Sequence, residues 1–342
     1  MNLAAAILIG AGTLLLVGCH RASVQLPYDR TNPVVYDNDS AVDVYTDEYL
    51  LALASLGEIQ LKGMLTSSSV VPENKWVKVE DYESEVANRQ RLTDAARASG
   101  LRNVPTPVRG PMGMLQKPAS ARIEDTKPID SDGTRLLIDE ARKCTPERPL
   151  AVIVGGPLTA EASAYLLDPS IADKMVIGWL SWQNHDMGNY NGWADPWAAY
   201  ITLQKLRLVQ FGDVRPARVL KTDLAKLPSS SFQKFMYDAY LPSNPPGPGD
   251  YDGDGPPAIA LMRPDYCGRA KSVSFGHFKI EDGHEIPAFR RDLLTLTRRG
   301  FNRVFGVQQT GRVIVVSATD ETVATNEWWR AIRAALGVTA TP

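Results

Sequence analysis

Between residues 37 and 48 the chain reads Asp37-Asn38-Asp39-Ser40-Ala41-Val42-Asp43 and then, after two more residues, Thr46-Asp47-Glu48. Carboxylates crowded into so short a stretch repel one another unless a cation lies among them, and hard oxygen donors at this density suit Ca²⁺ or Mg²⁺. Asp43 or Asp47 has a simpler use as the cap of a following helix, where a carboxylate contributes about 0.5–2 kcal/mol. A cap needs no clustering, so Asp37, Asp39 and Asp43 together point to a site. A second acidic stretch, Asp250-Tyr251-Asp252-Gly253-Asp254-Gly255, opens like an EF-hand loop. Its twelfth position is Leu261 where a Glu is required, and prolines fill positions seven and eight, which excludes the EF-hand but leaves an acidic loop suited to calcium.

The elements that must position these groups follow a βαβ rhythm. Pro33-Val34-Val35-Tyr36 is a β-branched run that stops at the first acidic cluster. Helical spacing follows over Asp47 to Leu56, with Gly57 as its stop, and Ile59 to Leu65 reads as a second strand. Further helices are predicted over Val86 to Ser99, Thr134 to Lys143, Thr159 to Leu167 and Pro196 to Val209, with strands over Leu150 to Val154 and Met175 to Leu180. Such alternation implies an α/β fold, a mostly parallel open sheet with helices on both faces, and ligands beyond the strand C-termini. No repeat and no linker interrupts the chain, so residues 33–342 read as a single domain. Asn103 to Asp132 and Pro242 to Pro257 read as surface excursions, the second too rich in Pro and Gly for regular structure. A final amphipathic helix starts near Asn326, its Trp328 and Trp329 facing the core.

The 342 residues carry 37 Lys+Arg against 39 Asp+Glu, a net charge of −2 that argues against a nucleic-acid partner. Leu3 to Val17 holds no charged residue and is too short to span a membrane, as expected of a signal peptide. It ends in Leu16-Val17-Gly18-Cys19, which resembles the bacterial lipoprotein box, so residues 1–18 are expected to be removed and Cys19 lipidated. An uncleaved anchor is the alternative. Residues 19–32 then form a tether, and the protein is exported and held by its lipid on the periplasmic side of the cell envelope. Cys144 and Cys267 have two open fates, a disulfide or two buried free thiols.

Four segments in order resemble the inosine-uridine nucleoside hydrolase family. The first cluster is similar to the family's D-x-D-P-G-x-D-D. Leu150 to Thr159, ending Val154-Gly155-Gly156-Pro157-Leu158-Thr159, is similar to its strand and T-G-P-L-T-N. Asn189-Tyr190-Asn191-Gly192-Trp193-Ala194-Asp195-Pro196 resembles E-F-N-x-x-x-D-P, and Asp254 stands where the family has its last metal aspartate. The resemblance implies a nucleoside hydrolase-like domain that hydrolyses N-glycosidic bonds of ribonucleosides, or a related glycosidic substrate, with bound Ca²⁺. Asp39 would be both metal ligand and general base, with Gly155 (through its carbonyl) and Asp254 as further ligands. Asp43, Asn184, Asn189 and Asn191 would hold the sugar.

Two departures stand against this. The family's second adjacent Asp is Val44 here, so a carboxylate is lost unless Asp47 or Asp37 turns inward, and the His that precedes the last Asp is Gly253. These favour the other reading, an impaired relative that binds a nucleoside or sugar without turnover. No strong leaving-group acid is evident. His185 is a weak candidate, and Trp179, Trp182, Trp193 and Trp197 divide between base stacking and core packing. The implied partners are a small-molecule nucleoside or sugar, the membrane through the lipid, and a second copy of the chain in a homo-oligomer.

Overall fold

A computed structural model of the chain describes residues 25–39, 45–68, 79–181, 190–212, 214–240, 250–273, 279–281, 304–306 and 313–338. In chain order its first half runs β1 (Pro33–Asn38), α1 (Thr46–Leu56), β2 (Gln60–Ser68), α2 (Val79–Ala98), β3 (Val108–Met112), α3 (Asp132–Arg142), β4 (Leu150–Val154) and α4 (Thr159–Leu167). There follow β5 (Met175–Leu180), α5 (Tyr190–Ala194), α6 (Pro196–Lys205), β6 (Arg207–Phe211), α7 (Lys221–Leu224), α8 (Ser231–Ala239) and α9 (Pro256–Met262). The last elements are β7 (Cys267–Val273), β8 (Lys279–Glu281), β9 (Val304–Gly306), β10 (Val313–Thr319) and α10 (Glu321–Ala335).

Among the described residues, eight strands form one sheet in the order β3-β2-β1-β4-β5-β6-β10-β7, and β8 pairs with β9 in a separate ribbon. The first seven are parallel; β7 closes the edge antiparallel to β10. β4 and β5 are buried at every residue, as central parallel strands covered on both faces must be. Alternation along β1 sends Val34 and Tyr36 into a core with α1, α2, α9 and α10, and Val35 into one with α3, α4 and α6. From β1 the chain builds β2 and β3 on one side and β4, β5 and β6 on the other. β1 and β4 are thus the topological switch point, where open α/β sheets leave a crevice beyond the strand ends.

Local signals explain most boundaries. Gly57 ends α1 in the left-handed region, φ 73°, with its N–H on the Ala54 carbonyl and that of Glu58 on Leu53. Three expectations need correction. Residues 25–32 are not a free tether, because Tyr28 is buried in the core, its hydroxyl 3.3 Å from the Pro257 carbonyl, and Asn32 donates to the Pro149 carbonyl at 2.7 Å. The helix expected to reach Val209 stops at Lys205, and Arg207 to Phe211 is β6, a short run buried at four of its five residues whose type periodicity alone does not decide. The two excursions also hold structure. β3 lies in the first, and Pro256-Pro257 form the first turn of α9, where a missing N–H costs no helix bond. Cys144 and Cys267 are both buried free thiols. No described helix is long and apolar enough to cross a membrane.

Candidate active site

The parallel register sets Asp37 beside Val154, so the residues two places further on, Asp39 and Gly156, leave the sheet side by side. The N–H of Gly155 donates to the Asp37 carbonyl at 2.9 Å, which prolongs the β1–β4 ladder past the last paired residues. The missing side chains of the Gly155-Gly156 turn make the room. A Cβ on Gly156 would lie 3.0 Å from Asp39 Cβ and 3.1 Å from its Cγ. A Cβ on Gly155 would lie 2.5 Å from both Cγ and Oδ2 of Asp254. Asp39 and Asp254, far apart in the chain, therefore press on adjacent residues of one turn at the switch point.

Asp254 is carried there by a tightly held loop. The N–H of Val219 donates to the Asp250 carbonyl at 2.8 Å and that of Asp252 to Ala217 at 2.9 Å, a short antiparallel zipper leading into α9. Thr46, at the start of α1, gives its hydroxyl to Asp252 across 206 positions, and Tyr240 gives its own to Asp250. On the other side of the turn, the Asn191 amide donates to the carbonyls of Gly155 and Leu180, both at 3.1 Å. Two acceptors at once fix which end of the amide is nitrogen. Asn191 thus ties the ends of β4 and β5 and leaves its own oxygen for another donor, while the Gly155 carbonyl keeps one of its two lone pairs. Trp179 is fully buried with its indole N–H on the Gly156 carbonyl at 3.0 Å, which assigns it to packing rather than to stacking on a base.

The electrostatics are one-sided. Eight acidic side chains are buried among the described residues (Asp37, Glu48, Glu161, Asp195, Asp250, Asp252, Asp254 and Glu327) against one basic side chain, Arg89. Arg89 is committed: it pairs with Asp47 at 2.9 Å, donates to Thr66 Oγ1 at 2.8 Å and to the Leu65 carbonyl, and lies 5.6 Å over the Tyr36 ring. Burial pushes the Asp37 carboxyl up to about 7, although the Ser67 hydroxyl at 2.7 Å and the Arg89 charge pull the other way. Burial and the neighbouring Asp47 push Glu48 up to about 8. Asp195 is pushed to about 6 by burial, against hydrogen bonds from Ala198 N–H, Leu115 N–H and the Thr159 hydroxyl. That set makes Asp195 the cap of α6 and the anchor of α4, a structural use of the D-P pair.

Of the sequence-derived site residues, the fold brings Asp39, Gly155, Asn191 and Asp254 to one place. Asp43, Val44, Asn184, His185 and Asn189 lie outside the described residues, as does Cys19. Asp47 does not turn inward to replace the carboxylate lost at Val44; Arg89 holds it. Trp197 is buried, with its indole N–H on the Thr126 hydroxyl at 2.8 Å, and stacks on Tyr200, which assigns it to packing. The sequence reading missed Arg89, Ser67 and Glu161. Arg89 had a readable signal, a lone Arg in an otherwise apolar helix stripe with Leu92 and Ala96, but its partners lie 42 and 23 positions away.

The sequence matches no family model and no curated protein. Solved structures do match. A purine-preferring ribonucleoside hydrolase from Gardnerella vaginalis superposes with a TM-score of 0.56 at 17% identity, over 90% of this chain and 100% of its own. An inosine-guanosine nucleoside hydrolase gives 0.54 at 13% identity, over 90% and 100%. This chain has the nucleoside hydrolase fold. A nucleoside hydrolase-related protein from Saccharophagus degradans, described as associated with carbohydrate metabolism, also gives 0.54 at 13% identity, over 90% of this chain and 73% of its own.

Within the nucleoside hydrolase fold, the donor set at the turn is two carboxylates and a carbonyl, all hard oxygens of the kind Ca²⁺ takes. No group of three or more Asp, Glu, His or Cys side chains gathers to hold a metal ion among the described residues. The chemistry fits a hard cation; the remaining donors of a six- to eight-oxygen shell must come from water, substrate hydroxyls or Asp43.

Proposed function

We propose that this protein hydrolyses the N-glycosidic bond of ribonucleosides, or a related glycosidic bond, with Ca²⁺ held by Asp39, Asp254 and the Gly155 carbonyl. The observation that carries this reading is the meeting of Asp39 and Asp254 on the Gly155-Gly156 turn, at the switch point of a nucleoside hydrolase fold. A bound calcium there would orient a water and lower its pKa. Asp39 is half-buried, unlike fully buried Asp254, so it is the carboxylate able to reach a water and take its proton. Asn191 holds the turn from behind and offers its amide oxygen to a ribose hydroxyl, with Asp43, Asn184 and Asn189 as further sugar contacts. Hydroxyl clamps of this kind favour the oxocarbenium-like transition state when they tighten as the ring flattens. The dry, acid-rich floor suits a developing positive charge on the sugar.

The same reading makes the protein an exported lipoprotein, anchored through Cys19 and able to form a homo-oligomer. Its test is ribose release from a panel of nucleosides with and without calcium. Wild type should release ribose only with calcium, and Asp39→Asn should lose about 10²–10⁴-fold. Calcium and nucleoside binding without release would replace the enzyme by the binding protein that Val44 and Gly253 favour. A melting temperature indifferent to both would end either reading.

A further inference from the structure

The tandem tryptophans of α10 do more than pack. Trp328 and Trp329 are both buried, their rings edge to face at 4.8 Å, yet each gives its indole N–H to a backbone carbonyl outside the helix. Trp329 donates to the Arg218 carbonyl at 3.1 Å, and Thr325, one turn earlier on the same face, accepts the Arg218 N–H at 2.9 Å. Arg218 needs both partners. In the antiparallel zipper its neighbours Ala217 and Val219 turn their backbone groups towards Asp252 and Asp250, so alternation turns those of Arg218 the other way. α10 thus stands in for a third strand. Trp328, about 100° round the helix from Trp329, reaches a different segment. Its N–H donates to the Tyr45 carbonyl at 3.3 Å, and its ring stands edge-on to that of Tyr45 at 5.8 Å. Tyr45 has φ 89°, a left-handed conformation that is strained for an aromatic residue and persists only where its surroundings enforce it. The next residue is Thr46, whose hydroxyl holds the Asp252 carboxylate.

We propose that Thr325, Trp328 and Trp329 are positioning residues, a clamp on α10 that sets where Asp254 meets the Gly155-Gly156 turn. Both arms of the clamp end on Asp252. One runs from Thr325 and Trp329 through Arg218 to the Ala217 carbonyl, which receives the Asp252 N–H at 2.9 Å. The other runs from Trp328 through Tyr45 to Thr46 and the Asp252 carboxylate. Asp252 is therefore fixed by its backbone and by its side chain. Asp254 follows two residues later, where the Gly255 N–H returns to the Asp252 carbonyl at 3.2 Å and the proline turn of α9 begins. A slack zipper would let Asp254 drift from the turn, whereas the packing of α10 on the core would survive the loss of either indole N–H. This inference rests on the assignment of Asp254 to a calcium site for its effect on metal and turnover, though not for the hold on the loop.

The hold and its consequence are tested separately. Trp329→Phe keeps a buried ring and removes the N–H; Thr325→Val keeps the shape and removes the acceptor, which Thr325→Ser restores. Ile332→Val trims the buried face of the same helix and leaves every one of these hydrogen bonds in place. In a chelating buffer, amide hydrogen exchange at Val219 and Asp252 should quicken about 2- to 10-fold in Trp329→Phe and Thr325→Val, and keep wild-type rates in Thr325→Ser and Ile332→Val. Calcium affinity by titration calorimetry should fall on the order of 10-fold in Trp329→Phe, Thr325→Val and Trp328→Phe. Their kcat should fall by a similar factor with KM little changed, as expected when a reacting group is misplaced. Ile332→Val should lower Tm and leave affinity and kcat at wild-type values. Wild-type exchange at Asp252 in both Trp329→Phe and Thr325→Val, or wild-type affinity in Trp328→Phe, would overturn the clamp. So would an affinity loss in Ile332→Val equal to theirs at equal Tm, since general loosening of the helix would then account for it. If Trp329→Phe does not fold, Thr325→Val carries the test, with Thr325→Ser as its rescue. If wild type neither binds calcium nor releases ribose, the hydrolase assignment falls, and exchange at Asp252 still decides whether α10 holds the loop.

Discussion

Gly155→Ala puts a methyl group where the Asp254 carboxylate lies. The added Cβ would stand 2.5 Å from Cγ and Oδ2 of Asp254 and 2.8 Å from its Cβ, against about 3.4 Å for ordinary contact. Either partner must retreat by about 0.9 Å, and neither does so freely. The turn is held by its N–H on the Asp37 carbonyl at 2.9 Å and by Asn191 on its own carbonyl at 3.1 Å. Asp254 is wholly buried and runs directly into the proline turn of α9. Overpacking of this kind costs about 1–3 kcal/mol, which calorimetry reads as a fall of several degrees in Tm. A carboxylate moved by nearly 1 Å should also cost on the order of 10²-fold in turnover, with weaker calcium binding by titration calorimetry. Two controls grade the effect. Gly156→Ala meets Asp39 Cβ at 3.0 Å, a smaller conflict that should give an intermediate loss. Gly57→Ala has no atom within 4 Å but a φ of +73°, so it should lose about 1–2 kcal/mol of stability through backbone strain and none of the calcium affinity. Wild-type Tm and calcium affinity in Gly155→Ala would refute the packing of Asp254 on the turn. Equal losses of affinity in Gly57→Ala would show that general destabilisation, not the site, was responsible.

Asn191→Leu removes the donor shared by the Gly155 and Leu180 carbonyls, and two buried acceptors left unmet should cost about 1–3 kcal/mol each; an unchanged denaturation midpoint would show that Asn191 does not tie the strand ends. Asp195→Ala deletes three hydrogen bonds at once, so its stability loss should exceed that of Thr159→Ala, which deletes one, in the same urea titration. Glu48 has its folded-state pKa raised from 4.5 to about 8, so the folded protein holds its proton more tightly than the unfolded chain does. Its contribution is therefore complete below 4.5 and declines as pH rises towards 8. In a chelating buffer, Tm should fall across that window, and Glu48→Gln should flatten part of the slope; a slope unchanged by Glu48→Gln would refute the assignment.

Much of the fold was legible in the chain because its signals are local. The β-branched runs Val34-Val35 and Leu150 to Val154, and the stop at Gly57, each set a boundary through residues within one turn of it. β6 is not legible locally because its five residues, buried at four successive positions, follow a helix closely and no Gly or Pro marks the change of period. Tyr28 carries no local sign of its place, because a single aromatic has no periodicity; only the backbone beside Gly178 and Pro257 gives it one.

The sequence by itself determined which residue types were on offer: carboxylates after the first strand, a glycine pair after the fourth, an acidic loop before a proline-started helix. Tertiary structure decided their use. Asp39 and Asp254 meet because a parallel register and a zippered loop deliver them to one turn, and such long-range pairing leaves no mark on near neighbours in the chain. Likewise Asp47 is held by Arg89, and Asp37 by Ser67, because a buried carboxyl group must find a cation or a donor, and only the folded interior determines which of these lies within reach.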